Sequence, residues 1–235
     1  MRDLNSHQQE AVLHMQGPLL IIAGAGSGKT RVVTERIIHL LNQDIPAEQI
    51  LAVTFTNKAA AEMRERVHSS TRHRPQISTF HSLGALILRE SYLSGFVIYD
   101  EEDALKLLKS CFKEGYEPKK EEIKEVKNRI SEAKNQLLGP LEVKNKDISI
   151  TYARYEQALK ENRALDFDDL LYVPVKLFRE NASLLESYQE RYRYLMVDEY
   201  QDTNQAQYIL INLLAQKFGN LCVVGDPDQS IYSWR

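Results

Sequence analysis

Leu19-Leu20-Ile21-Ile22-Ala23-Gly24-Ala25-Gly26-Ser27-Gly28-Lys29-Thr30 decides the fold. Four apolar residues read as a buried strand. Small residues follow, then Lys-Thr, then an apolar-periodic segment over residues 32–41 that reads as a helix. Strand, glycine-rich loop and helix in that order are the setting a phosphate-binding P-loop needs. Small residues let backbone N–H groups close around phosphate oxygens. In such a loop Lys29 reaches the β- and γ-phosphates of a nucleotide, and the Thr30 hydroxyl can ligate Mg²⁺. The helix that starts here turns its positive dipole end toward the anion. The strict pattern asks for glycine where Ala23 stands, while Gly26, Gly28, Lys29 and Thr30 hold the register.

Upstream, residues 4–15 read as a short helix. Asn5 is its N-cap and Gln8 falls three positions later, which is capping-box spacing. Gly17-Pro18 ends that helix and launches the P-loop strand. Downstream, residues 50–55 are a second buried strand, stopped by Thr56-Asn57. Residues 58–67 read as a helix capped by Asn57. Residues 76–79 are a short third strand, and a helix over 83–93 follows. Near the other end, residues 194–197 form a strand that runs into Asp198-Glu199. A helix over 205–217 and a last strand over 221–224 come next.

Strands alternating with helices imply a parallel sheet with helices on both faces. In such sheets ligands sit at the carboxyl ends of the strands, where both the P-loop and Asp198-Glu199 fall. An apolar strand ending in Asp-Glu is the second half of a nucleotide site. Asp198 would hold Mg²⁺ through water, and Glu199 would orient and deprotonate the attacking water.

The middle of the chain has another character. Lys and Glu dominate helical patterns over 103–112, 119–136 and 150–162, punctuated by Pro118 and Gly139-Pro140. These read as an all-helical insertion within the α/β domain. Asp166-Phe167-Asp168-Asp169 leads back through helices, one of them bent or restarted by Pro174.

Apolar residues make up 43% and charged residues 27%, the mix of a soluble globular chain with a sizeable core. No apolar run approaches the roughly 20 residues that span a bilayer. The first residues lack a signal-peptide pattern, and a cytoplasmic location is expected. Cys111 and Cys222 lack metal-ligand spacing and read as reduced core residues. The net charge of -3 neither favours nor excludes nucleic acid. The most basic stretch, residues 58–74, reads on charge alone as a solvated helix face. His81 alone reads as a hydrogen-bonded structural histidine.

Seven motifs, in order along the whole chain, resemble the N-terminal part of superfamily 1 DNA helicases of the UvrD/PcrA/Rep family. They are Leu4-Asn5-Ser6-His7-Gln8; Ala23 through Arg31; Thr54-Phe55-Thr56-Asn57-Lys58-Ala59-Ala60; Thr79-Phe80-His81-Ser82; Asp166-Phe167-Asp168-Asp169-Leu170; Val197-Asp198-Glu199-Tyr200-Gln201-Asp202-Thr203; and Val224-Gly225-Asp226 onward to Trp234-Arg235. Ala23 is usual in that family.

The resemblance implies a RecA-like P-loop NTPase sheet. Residues 1–88 would be the first segment of the ATP-binding domain (1A), 89–165 the helical insertion (1B), and 166–235 the second, C-terminally incomplete segment. It implies ATP and Mg²⁺ as cofactors and 3′–5′ movement on single-stranded DNA. Gln8 would read adenine and Arg31 would pack near the base. Ala23, Gly24, Ala25, Gly26, Ser27, Gly28, Lys29 and Thr30 would cradle the phosphates. Gln201 and Gln229 would sense the γ-phosphate. Phe55, Thr56, Asn57, Lys58, Thr79, His81, Tyr232 and Trp234 would line a channel for single-stranded DNA, with aromatic rings stacking on bases.

Single-strand/duplex junctions, a second RecA-like domain, and repair or replication proteins are the implied partners. Without that second domain, residues 1–235 are expected to bind Mg-ATP with little turnover. The rival readings are a non-catalytic fragment that binds ATP and single-stranded DNA, and a P-loop protein with no DNA role.

Overall fold

The computed structural model describes residues 4–24, 26–91, 95–226 and 228. The candidate residues Ala25, Gln229, Tyr232 and Trp234 lie outside these. In chain order the elements are α1 (Ser6–Leu13), β1 (Leu19–Ile22), α2 (Lys29–Asn42), β2 (Ile50–Thr54), α3 (Asn57–Ser70), β3 (Gln76–Thr79) and α4 (Phe80–Ser91). Next come β4 (Val97–Ile98), α5 (Glu101–Ser110), α6 (Lys120–Asn135), α7 (Lys146–Glu161), β5 (Ala164–Leu165) and α8 (Asp169–Glu180). The last are α9 (Ala182–Arg191), β6 (Tyr194–Val197), α10 (Gln205–Ala215) and β7 (Leu221–Gly225).

Contacts divide the chain into two compact units. One comprises Met1–Leu83, Phe178–Thr203 and Tyr208–Arg235; the other comprises Gly84–Leu177 and Asn204–Gln207.

The first unit carries a five-stranded sheet in the order β1-β7-β6-β2-β3, with every pairing parallel. The fold is therefore the α/β, RecA-like parallel sheet expected from the sequence. Its core follows from helical and strand periods. On α2, Val33, Ile37, Leu40 and Leu41 recur every three or four residues, so they share one face. They meet Met63 and Val67 of α3 and the strand residues Ile50, Ala52, Ile77, Met196, Cys222 and Val224. All of β2 is buried, as a central strand of a parallel sheet should be.

Strand β1 departs from the expected buried strand. Leu19 and Ile21 pack inward, but Leu20 is 62% and Ile22 66% exposed. The reason is position: β1 is an edge strand, paired only with β7 among the described residues. Two boundaries also shift. The cap of α3 is Thr56, whose side chain accepts from the Ala59 N–H at 3.1 Å, so Asn57 is already helical. Helix α8 continues through Pro174, and the restart comes at Asn181, the cap of α9.

The second unit is built on α5, α6 and α7, which share a core of Ala104, Leu108, Ile123, Ile130, Tyr152, Tyr155 and Leu159. It is not all-helical. Strands β4 and β5 pair in parallel, Val97 with Ala164 and Ile98 with Leu165. Each is two residues long, too short to leave a period in the sequence.

An ionic cluster lies inside this unit. The Lys134 ammonium, fully buried, contacts Asp169 at 2.7 Å, Glu156 at 2.8 Å and Asp166 at 3.1 Å. Burial works against its charge, but the three carboxylates prevail and hold its pKa well above the ordinary lysine value. Burial likewise works against ionised Asp166, yet Lys134 and Lys127 bring its pKa down to about 2. Gly84 of α4 lies directly against α8: a Cβ there would come within 1.7 Å of the Leu170 carbonyl oxygen.

Two stability predictions arise. Lys134→Met should cost about 3–5 kcal/mol in urea unfolding, because it strands buried carboxylates without their cation. Asp166 is ionised in the folded state down to about pH 2, whereas unfolded it protonates near 3.8. Its contribution is thus complete above about pH 4 and is lost as pH falls toward 2. The gap between the unaltered chain and Lys134→Met should narrow across that window. Gly84→Ala should destabilise by about 1–3 kcal/mol or more, by overpacking.

Candidate nucleotide site

The site forms where β1, β6 and β7 end. The Ala23 N–H donates to the Gly225 carbonyl at 3.1 Å, so the loop after β1 is pinned to the end of β7. Gly26 and Gly28 have φ of +71° and +84°, the left-handed region that glycine adopts without penalty. Gly28 is also the N-cap of α2 and offers no side chain to its first-turn N–H groups. Those donors face the loop without a side-chain cap, the property that suits a helix start to an anion. Ser27 closes the turn by donating to the Gly24 carbonyl at 2.6 Å.

Lys29 opens α2 and is only 8% exposed. Its ammonium turns back into the loop and donates to the carbonyls of Ala23 (3.1 Å) and Gly24 (3.4 Å). One residue on, the Thr30 hydroxyl donates to Asp198 Oδ2 at 2.8 Å. Asp198 follows β6 and is 1% exposed; its N–H donates to the Val53 carbonyl, extending the ladder to β2. Burial raises the Asp198 pKa above its usual value, the Thr30 hydrogen bond opposes that rise, and the Glu199 charge adds to it.

Glu199 stands at φ +54°, a left-handed conformation for a residue with a side chain. It turns the chain out of the strand into a 3₁₀ turn, Tyr200–Asp202. Gln201 on that turn donates from Nε2 to Glu199 Oε2 at 2.6 Å and accepts the Asp226 N–H on Oε1 at 3.0 Å. Lys29, Thr30, Asp198, Glu199 and Gln201 are thus gathered at one edge of the sheet.

Gln8 reaches the same loop from α1. Its backbone N–H donates to the Asn5 side chain, and its Oε1 accepts the Asn5 N–H, both at 2.9 Å: the capping box read from the sequence. Its Nε2 donates to the Ser27 carbonyl at 2.9 Å. Arg36 of α2, 2% exposed, fixes α1 by donating to the carbonyls of Ala11 and His14. Arg31 is half-buried beside Gly28.

The other candidates sit at the ends of β2 and β3, whose register pairs Thr54 with Thr79. Asn57 and Lys58 are exposed at the start of α3, and Thr56 caps it. Phe55 is half-buried and meets Phe80 edge-on, with ring centroids 5.5 Å apart. Thr79 is buried; its hydroxyl donates to Ser82 Oγ at 2.9 Å and accepts the Ser82 N–H. His81 is half-buried and has a partner of its own.

Arg36 escaped the sequence reading, and Asp226, quoted there only within the last motif, received no role. Asp226 carried a usable signal: like Asp198, it follows directly on an apolar strand.

Whether these residues suit a divalent cation can be tested on their chemistry. Thr30 and Asp198 offer a hydroxyl and a carboxylate oxygen 2.8 Å apart. No group of three His, Cys, Asp or Glu able to hold a metal occurs among the described residues. Two oxygen donors beside a phosphate loop suit Mg²⁺, which keeps water and phosphate in its remaining positions.

Three findings from known proteins join this geometry. The family model described as UvrD/REP helicase N-terminal domain matches residues 4–235. The chain is 47% identical over 249 residues to the ATP-dependent DNA helicase PcrA of Bacillus subtilis, covering 99% of this chain and 34% of that protein. It is 45% identical over 252 residues to PcrA of Staphylococcus aureus, covering 100% of this chain and 34% of the relative. The chain therefore spans about a third of the length of the curated relatives it matches, and it belongs to the UvrD/REP helicase N-terminal domain family.

Proposed function

We propose that residues 1–235 are the nucleotide-binding part of an ATP-dependent DNA helicase that moves 3′ to 5′ along single strands. The observation that carries the reading is the Thr30–Asp198 contact, which joins the P-loop to the carboxylate strand across a buried site. The direction of movement rests on family resemblance alone, as do the roles of Gln229, Tyr232 and Trp234. The second unit would be the helical insertion of the family, with its charged surface toward duplex DNA.

Each side chain has a task set by its position. Lys29 would exchange its loop carbonyls for phosphate oxygens. Thr30 and Asp198 would hold Mg²⁺, which when bound neutralises charge on the β- and γ-phosphates. Glu199 would accept a proton from the attacking water, and Gln201 keeps its carboxylate in place. The exposed Asn57 and Lys58, near the end of the neighbouring strand, would meet the DNA backbone.

Lys29→Ala should abolish measurable Mg-ATP binding in titration calorimetry while leaving the circular dichroism spectrum intact; unchanged affinity would reject the P-loop assignment. Glu199→Gln, made in the polypeptide extended through a second RecA-like domain, should keep ATP binding and lose roughly 10²–10⁴-fold in hydrolysis. Normal turnover would hand the base role to another residue. Single-strand binding should tolerate any sequence and weaken steeply with salt as counterions are released. Salt-independent binding would remove DNA from this reading.

A further inference from the structure

The ammonium of Lys29 has three protons to donate, and the folded chain surrounds it with three oxygen partners. Two are the Ala23 and Gly24 carbonyls of the loop itself. The third is the carboxylate of Asp226, an ion-pair partner whose Oδ2 lies 3.7 Å away. Asp226 is 3% exposed and comes from the far end of the chain, one residue after β7.

It is held on several sides. Its N–H donates to Gln201 Oε1 at 3.0 Å, and its Oδ1 accepts the Asp228 N–H at 3.1 Å. The preceding Gly225 is pressed onto the same glutamine: a Cβ there would sit 2.8 Å from Gln201 Oε1 and 3.3 Å from its backbone nitrogen. Gly24, across the loop, would place a Cβ 4.0 Å from Asp226 Oδ2. A side chain at position 225 would collide with Gln201 and disturb the turn that holds Asp226. The arrangement brings one buried carboxylate to the cation that nucleotide phosphates require.

We propose that Asp226 is the internal counter-ion of the phosphate-binding lysine: it holds Lys29 within the loop until a phosphate takes its place. This rests on the P-loop reading and adds a positioning residue to it. Phosphate entering the loop brings negative charge within a few ångströms of Asp226, so the carboxylate opposes the ligand while it balances the charge of Lys29 in the empty loop. Gln201 carries the exchange further. The amide that accepts the Asp226 N–H donates to Glu199 at 2.6 Å, so displacement of Asp226 reaches the base through one side chain.

Asp226→Asn keeps the shape and the acceptor for Asp228 and removes the charge. Titration of the variant chain with Mg-ADP and Mg-ATP should show affinity tightened by about tenfold, the scale of one partly screened charge contact. Without nucleotide the variant should melt below the unaltered chain, because the buried charge of Lys29 keeps its loop carbonyls but loses the Asp226 counter-ion. Saturating Mg-ADP should then raise its melting temperature by more than it raises that of the unaltered chain. Asp226→Glu, which keeps the charge, should bind nucleotide within about twofold of the unaltered chain.

A purely structural role would lower stability with no gain in affinity. Unchanged or weaker binding by Asp226→Asn therefore overturns the proposal while the P-loop reading stands. Failure of the unaltered chain to bind nucleotide overturns both. If Asp226→Asn unfolds on its own, Asp226→Ser, which also removes the charge, takes its place in the same titration: tightened binding supports the counter-ion role, and unchanged or weaker binding rejects it.

Discussion

The register of β7 is the constraint on which the site depends. The P-loop strand and the Asp198 strand are not neighbours; β7 lies between them. Cys222 pairs with Leu19 on one side and Met196 on the other. From that point each strand runs forward to its functional end. Because side chains alternate faces, a slip of one residue would send Val224 out of the core and move Gly225 away from Ala23. Burial of Met196, Cys222 and Val224 in one cluster opposes that slip. Lys29, Asp198 and Asp226, far apart in sequence, thus owe their proximity to apolar packing below the site. The chemistry at the edge is set by shape complementarity in the core.

Much of this was legible in the chain because local chemistry and global fold agree. Gly26 and Gly28 read as loop residues and take the left-handed conformations that explain them. Asn5 and Gln8 read as a capping box and form one. The strand over 194–197 ends in Asp-Glu as read, and Asp198 lies against Thr30. What escaped was non-local. The exposure of Leu20 and Ile22 depends on which strand falls at the edge, and four apolar letters carry no sign of that. The β4–β5 pair joins segments more than sixty positions apart with two residues each. The pairing of Asp226 with Lys29 needs the strand order to be known first. Family resemblance supplied motif roles where periodicity could not.

Aspartates serve opposite ends in the two units. In the second, Asp166 and Asp169 surround Lys134 permanently, and their N–H groups and carboxylates also bond each other at 3.0 Å. Lys134 is enclosed by Asp166, Asp169 and Glu156, so the cluster fixes the start of α8 and Lys134 is spent on internal partners. In the first, Asp226 meets Lys29 at a longer 3.7 Å beside a glycine loop. Closed pairing gives rigidity, and looser pairing leaves a cation that can change partners. The same two residue types thus make a structural cross-brace in one place and an exchangeable contact in the other, according to distance and access.

The outer edge of β1 has a colloidal consequence. Among the described residues no strand pairs with it, and Leu20 and Ile22 present apolar surface on the exposed face of the same strand. Unpaired backbone beside apolar side chains is a template for adding another strand from any chain that has one. A net charge of -3 spread over 235 residues supplies little long-range repulsion against such an encounter. Leu19 and Ile21 carry the core contacts of the strand. The residues that govern solubility at this edge are therefore separable from those that hold the phosphate loop: a charged side chain at Leu20 or Ile22 would guard the edge and leave the packing beneath the site untouched.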